Sequence, residues 1–286
     1  MKAFSGRTAV VTGGASGIGY AIAERCAKED MNLVVADIEE AALLDAVNRL
    51  KAQGARVLGV GTDVSKAEDV EALAQKTLDA FGAVHLLFNN AGVDAPGTIW
   101  ARTLSDWQWT IGVNLWGVIH GVRVFVPLML KQEAEGHVVN TASMGGLTSG
   151  PGMGIYRVTK HGVVALSETL YHELRLAGSE INVSVLCPGF VDTRIGDAAR
   201  NRPAALRNDS AGEEGSDKAD EPESLLFKTV QKLTPPAEVA TRVFDAIVDE
   251  KFYIITHPDL KQRIKTRMED ILLERNPTNP YKRRQQ

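Results

Sequence analysis

The sequence predicts an α/β fold, a doubly wound parallel sheet of about seven strands flanked by helices on both faces, within a single domain. Three observations carry this. Short runs rich in Val and Leu alternate with longer amphipathic stretches from residue 8 onward. The short runs are apolar without strict polar alternation, as strands buried on both faces of a parallel sheet are. A glycine-rich turn joins the first such run to the first amphipathic stretch, and an alternation sustained this far along a chain implies strands linked by crossover helices.

Strands are expected at 8–12, 32–36, 56–60, 85–89, 137–141, 182–187 and 252–256, each bounded by Gly, Asp or Asn or lying close to one. Helices are expected at 18–29, 39–53, 66–81, 107–132, 156–176, 235–250 and 261–275. Gly54 and Gly82 sit just past two of the helices, where a left-handed cap favours glycine. Pro235 and Pro236 open another.

The chain has 286 residues, 44% hydrophobic and 24% charged, which excludes disorder as the main state. A single α/β domain commonly takes roughly 200–250 residues, so the surplus needs a place. From about residue 198 to 222 the chain turns rich in Asp, Glu, Ser, Ala, Gly and Pro, the composition of a long loop. The division expected is one domain over 1–286, with an insertion at 195–233 and a C-terminal helix and tail at 257–286. Residues 209–223 carry a net charge of −6 and residues 261–286 a net charge of +5, inside an overall −4. That balance argues against nucleic-acid binding, which shows as a basic domain. Two cysteines are too few for a disulfide framework. No stretch has the run of about 18 apolar residues that a membrane span requires, since residues 112–130 contain Asn114, His120 and Arg123. A soluble cytoplasmic protein is expected. Six scattered histidines without paired ligand spacing give no metal site.

Thr12-Gly13-Gly14-Ala15-Ser16-Gly17-Ile18-Gly19 follows the first strand and opens the first helix. Glycines let the backbone approach a diphosphate, whose charge meets the free amides of the helix start. The spacing is Gly-x-x-x-Gly-x-Gly, and its strand–helix setting is what gives the motif meaning. Asp37 ends the second strand, where an acid accepts hydrogen bonds from the adenosine ribose and repels a 2′-phosphate. With no Arg or Lys at Ala15, Ser16 or Ile38, NAD is preferred over NADP. Asp37 also suits a helix cap, a compatible role. Asp63-Val64, past the third strand, fits either the adenine edge or a cap before the next helix.

Tyr156 and Lys160 stand four apart at the start of a helix, so phenol and ammonium share a face. A cation beside a tyrosine, whose ordinary pKa is about 10, favours the phenolate and suits acid/base work on an alcohol or ketone. Ser143 lies just past a strand end, where a hydroxyl reaches the ligand crevice and can hydrogen-bond an oxygen that gains charge. Asn114, a mediocre helix former inside an expected helix, marks a local polar requirement.

Together with Asn89-Asn90-Ala91-Gly92 and Pro188-Gly189-Phe190-Val191-Asp192-Thr193, these residues stand in an order that resembles the short-chain dehydrogenase/reductase family, in its compact one-domain branch with a Rossmann-type sheet. The resemblance spans residues 1–193. It implies that Tyr156 exchanges a proton with the substrate oxygen while Ser143 polarises that oxygen. It further implies that Lys160 holds the nicotinamide ribose and lowers the tyrosine pKa, and that the Asn114 carbonyl holds a water leading to solvent. The cofactor contacts it implies are Gly13, Ser16, Gly17, Ile18, Gly19, Asp37, Ile38, Asp63, Val64, Asn90, Ala91, Gly92, Tyr156, Lys160, Pro188, Gly189, Val191 and Thr193, the last two on the carboxamide. The segment 195–233 becomes a substrate lid. Ser143, Met144, Gly145, Met153 and Phe190, with Leu147 and Ile155, are candidate pocket walls, whose apolar character points to an uncharged secondary alcohol or ketone. The expected activity is an NAD-dependent alcohol dehydrogenase or carbonyl reductase. The alternatives are an NADP-dependent 3-oxoacyl-type reductase, which Asp37 disfavours, and a nucleotide-binding regulatory protein without catalysis, which the complete set Asn114, Ser143, Tyr156 and Lys160 disfavours. The helices at 107–132 and 156–176 resemble the family's subunit interface, so a homodimer or homotetramer is expected.

Overall fold

The structure, a computed structural model, describes residues 1–208 and 233–280. Seven strands form one sheet in the order β3-β2-β1-β4-β5-β6-β7, every neighbouring pair parallel. The strands are β1 (Thr8–Thr12), β2 (Asn32–Asp37), β3 (Arg56–Gly61), β4 (Leu86–Asn89), β5 (Gly136–Thr141), β6 (Ile181–Cys187) and β7 (Tyr253–Ile255). Between and after them lie α1 (Gly17–Lys28), α2 (Glu40–Ala52), α3 (Ala67–Phe81), α4 (Leu104–Ile111), α5 (Gly117–Lys131), α6 (Gly154–Leu176), α7 (Pro236–Val248) and α8 (Lys261–Leu272). This is the single-domain Rossmann-type arrangement expected from the alternation.

Alternate strand residues feed two cores. Ala9, Val11, Leu33, Val35 and Phe88 pack against α1, α2 and α7 through Ile22, Leu43 and Phe244. Val10, Val34, Leu87 and Val138 pack against α3, α5 and α6 through Leu73, Phe125 and Leu170. A strand with both faces covered has no place for polar alternation, which is why these runs read as uniformly apolar. The order reverses between β1 and β4, so a crevice opens beyond the carboxyl ends of those strands.

One expected helix proves to be two. Residues 107–132 are split by a π turn at Gly112–Trp116, and the first helix starts at Leu104 under a Thr103–Asp106 capping box. Single π turns inside helices occur frequently at functional sites, and Asn114 lies in this one. By length and apolarity alone the stretch 104–131 could cross a membrane. Here it packs Val118, Phe125, Val126 and Met129 into the core, and Arg123 on its outer side pairs with Glu71 at 2.6 Å.

A buried polar chain fixes α6 against the sheet. Asn89 Nδ2 donates to Asn140 Oδ1 at 2.8 Å, Asn140 Nδ2 to Ser167 Oγ at 3.0 Å, and Ser167 Oγ to the Val163 carbonyl at 2.7 Å. Leaving its members unpaired costs about 1–3 kcal/mol per group. Asn140→Ala is therefore expected to lower the unfolding free energy by about that amount, measured by urea denaturation.

Candidate active site

The crevice is one cavity of about 420 Å³ running from Asp37 and Ile38 at one end to Tyr156 and Phe190 at the other. Its floor is the glycine turn. A Cβ on Gly13 would stand 2.8 Å from Ala91 Cα, and one on Gly19 would stand 2.1 Å from the Gly13 carbonyl oxygen, so only glycine allows β1, α1 and the loop after β4 to meet. The first turn of α1 has no acidic residue, and Ser16 makes no side-chain capping bond. Its orphan amides and positive dipole end therefore have no side-chain cap among the described residues, which fits a diphosphate.

At the adenosine end Asp37 Oδ2 accepts from Ala15 N and Oδ1 from Glu39 N, both at 3.0 Å. Burial raises its pKa, and those amide bonds oppose the rise. Each oxygen keeps a lone pair for a ribose hydroxyl. Asp63 Oδ1 accepts from Ser65 N at 3.0 Å and Ser65 Oγ at 2.6 Å, a turn in the loop ahead of α3, whose N-cap is Lys66 without a side-chain capping bond. Asn90 Nδ2 donates to the Thr12 carbonyl at 3.1 Å and ties β4 to the glycine turn.

At the other end, the ladder between β5 and β6 continues past the strands through Met144 N to the Pro188 carbonyl at 2.9 Å. This brings Ser143 beside the Pro188-Gly189 turn. Ser143 Oγ accepts from Gly145 N at 3.0 Å and donates to the Pro188 carbonyl at 3.5 Å, with the Tyr156 phenol beside it. Lys160 Nζ, 2% exposed, donates to the Thr141 carbonyl at 2.8 Å and stands 5.5 Å from the Tyr156 ring centre. Burial pulls its pKa down to about 8. Burial pushes the Tyr156 phenol above its ordinary value, and the Ser143 hydroxyl only opposes the rise. Against the lowered tyrosine pKa that the resemblance implies, desolvation by burial sets the direction in the free protein.

Asn114 is fully buried behind the wall. Its Oδ1 accepts from Val93 N and its Nδ2 donates to the Val93 carbonyl, both at 2.8 Å, with Thr159 Oγ1 at 3.3 Å. It stitches the loop after β4 to the π turn and to α6. Gly17 and Gly19 likewise shape the turn from behind the lining, whereas the other expected cofactor contacts line the cavity. Met144, Gly145, Met153 and Phe190 line it as well. Leu147 packs with Val163 and Val185, and Ile155 is fully buried, so these two belong to the packing around the site. Of the segment 195–233, residues 209–232 lie outside the described residues, as do 281–286 of the tail. The described part, 195–208 and 233, contributes Ile195, Ala198, Leu206 and Leu233 to the lining, beside Arg194.

The structure adds polar groups that the sequence reading missed. Asp94 lines the cavity beside Lys160 and Tyr156, and burial raises its pKa to about 6. Arg157 Nη1 donates to the Thr148 carbonyl at 2.9 Å beneath the substrate end. His257 Nδ1 accepts from Gly189 N, and its Nε2 pairs with Thr234 Oγ1, both at 3.1 Å. The one signal in the sequence was Asp94 itself, an acid two residues past Asn-Asn-Ala-Gly in an otherwise apolar loop.

Comparison with known proteins agrees with this geometry. The family model described as short chain dehydrogenase matches residues 7–204. The chain belongs to the short-chain dehydrogenase/reductase family. A short-chain dehydrogenase/reductase from Burkholderia phymatum, solved in complex with NAD, is 51% identical with a TM-score of 0.92, over 98% of this chain and 99% of that one. A CLA biosynthesis dehydrogenase/reductase from Lactiplantibacillus plantarum is 32% identical over 277 residues, 97% of each chain. A 1-deoxy-11-beta-hydroxypentalenate dehydrogenase from Streptomyces exfoliatus is 33% identical over 267 residues, 93% of this chain and 88% of the relative. This short-chain dehydrogenase/reductase is an oxidoreductase by family.

Asp94 generates a prediction. Its folded pKa lies above its unfolded value, so folding favours the neutral acid, and its contribution is lost as pH rises from about 4 to about 6. Asp94→Asn should raise the Tm at pH 8 relative to the native protein, by no more than about 3 kcal/mol of stability, and the gain should vanish near pH 4. Thermal unfolding of both proteins across that pH range checks it.

Proposed function

We propose that this short-chain dehydrogenase/reductase interconverts a secondary alcohol and its ketone with NAD(H), using Tyr156 as general acid/base. The observation that carries the proposal is the convergence of Ser143, Tyr156 and Lys160 at one end of a cleft whose other end is the glycine turn and Asp37. The NAD complex of the Burkholderia phymatum relative supports the cofactor.

In this reading Gly13, Ser16, Gly17, Ile18 and Gly19 hold the diphosphate, and Asp37 and Ile38 hold the adenosine ribose. Asp63 and Val64 flank the adenine, Asn90, Ala91 and Gly92 support the middle of the dinucleotide, and Pro188, Gly189, Val191 and Thr193 take the nicotinamide end. When bound, the nicotinamide supplies or accepts the hydride. The protein's part is orientation and charge. One N–H of the Lys160 ammonium is committed to Thr141 O, which leaves two for ribose hydroxyls. Ser143 Oγ, positioned by Gly145 N, donates to the substrate oxygen. Tyr156 Oη transfers its proton to that oxygen in reduction and takes it back in oxidation. The Asn114 carbonyl holds a water through which the proton passes to solvent, the role that the family resemblance implies.

Asp37, already bound by two amides at the adenosine end, repels a 2′-phosphate, so NAD is preferred over NADP and the 3-oxoacyl-type NADP reading is disfavoured. Met144, Met153 and Phe190 suit an uncharged and largely apolar substrate. Segment 195–233 acts as its lid, and 257–286 forms a C-terminal appendage. The protein works in the cytoplasm as a homo-oligomer through α5 and α6, where Trp116, at the end of the π turn before α5, and Val158 on α6 lie about half exposed.

The test is a panel of secondary alcohols and ketones offered with NAD(H) and NADP(H), followed by nicotinamide absorbance. Turnover is expected with NAD(H), and turnover with NADP(H) alone contradicts the cofactor assignment. Ser143→Ala is expected to lower kcat by about 10²–10³ with cofactor Kd unchanged, as loss of one donor to a developing oxyanion does.

A further inference from the structure

Residues 194–208 cross the mouth of the cleft and are fastened on both sides. On the α4 side Arg202 pairs with Asp106 at 2.6 Å, the two side chains 10% and 3% exposed, and its guanidinium lies 5.2 Å from the Trp109 ring centre. Asn208 Nδ2 adds a bond to the same Asp106 Oδ1 at 3.1 Å. On the adenosine side Arg200 reaches Glu39. Its Nε and Nη2 donate to Glu39 Oε1 at 2.9 and 2.8 Å, and Asn201 Nδ2 donates to that oxygen at 3.0 Å.

Glu39 is two residues past Asp37, and its backbone amide is one of the two donors on the Asp37 carboxylate. The Arg200 guanidinium therefore stands next to the place where a ribose 2′-substituent would lie, with Ile38, Glu39 and Arg200 lining the same cavity. It cannot easily leave that place. Its Nη1 donates to the Arg194 and Asp197 carbonyls at 3.0 and 2.8 Å, bonds internal to the segment that do not depend on Glu39. A planar guanidinium is the group best suited to bind a phosphate in bidentate fashion. Here the edge that would do so is occupied by a carboxylate.

We infer that Glu39 is a second cofactor-selecting residue, which occupies and neutralises a preplaced arginine, Arg200, that would otherwise bind the 2′-phosphate of NADP. This rests on the proposed NAD preference and assigns its determinant to a pair of residues in addition to Asp37. With Glu39 present, Asp37, Glu39 and Arg200 leave one net negative charge at the adenosine end. Without Glu39 that charge is gone, and two N–H groups of a fixed guanidinium are released.

The experiment measures Kd for NAD and NADP by calorimetric titration of the full-length protein and three variants. Glu39→Ser keeps a good helix cap before α2 and should improve NADP binding relative to NAD by about tenfold or more, the size of one charge-assisted phosphate contact. Glu39→Gln, which removes only the charge, should move the ratio the same way by less. Adding Arg200→Gln to Glu39→Ser should abolish the gain. An unchanged ratio in Glu39→Ser, or a gain that survives loss of Arg200, overturns the inference. A native protein that binds NADP more tightly than NAD would instead overturn the cofactor reading itself, and the change in ratio between variants keeps the two outcomes apart.

Discussion

Lys160 holds its ammonium almost out of contact with water at the junction of β5 and α6, and the rest of the cleft is arranged around that charge. Removing an ammonium from water costs several kcal/mol unless hydrogen bonds and opposite charge replace the solvent. The Thr141 carbonyl supplies one bond, and the Asp94 carboxyl opposes the fall in pKa that burial causes. What remains is a lysine whose pKa burial brings to about 8, with two N–H groups beyond the one given to Thr141. Tyr156 one turn earlier carries the complementary penalty, since its burial disfavours the phenolate that Lys160 would favour. Burial thus works against the charged form of both groups in the free site. Local strain of this kind at the chemical centre is offset by conventional packing elsewhere.

That arrangement requires α6 to lie in one position only. Asn140 holds it to β5 through Ser167, and Asn114 holds it to the loop after β4 through Thr159. Both ties are buried amides with every bond made inside the protein, so a shift of α6 by even part of a turn would leave several groups unpaired. The π turn at residues 112–116 belongs to the same logic. It lets Asn114 face inward without carrying the hydrophobic faces of α4 and α5 out of register. Beyond the mouth, residues 194–208 bring charges from a remote part of the chain to both sides of the cleft, Arg200 to Glu39 at the adenosine end and Arg202 to Asp106 on α4.

The sheet was legible in the sequence because strands covered on both faces leave uniform apolar runs, and β1, β2, β5 and β6 all lie within a residue or so of where those runs place them. The glycine turn, Asp37, Ser143, Tyr156 and Lys160 were legible for a different reason. Their chemistry demands particular residue types at particular distances from strand ends, and local spacing records that demand. Asp94 and His257 were not legible in this way, because an acid or a histidine acquires its role only from what the fold packs beside it. The Glu39–Arg200 pair joins positions 161 residues apart, which no local pattern can register. The tyrosine pKa shows the limit most clearly. Spacing gave the neighbouring cation, whereas desolvation, which decides the direction, depends on burial that only the assembled structure defines.

In the proposed reading this cleft holds a nicotinamide dinucleotide and Tyr156 moves the substrate proton. The most direct measurement compares native protein and Tyr156→Phe for NADH binding by fluorescence and for ketone reduction in a single turnover. The account predicts matching Kd values and a rate reduced by at least about 10²–10⁴ in the variant, the share that a positioned acid supplies. Retention of the native rate by Tyr156→Phe would contradict it.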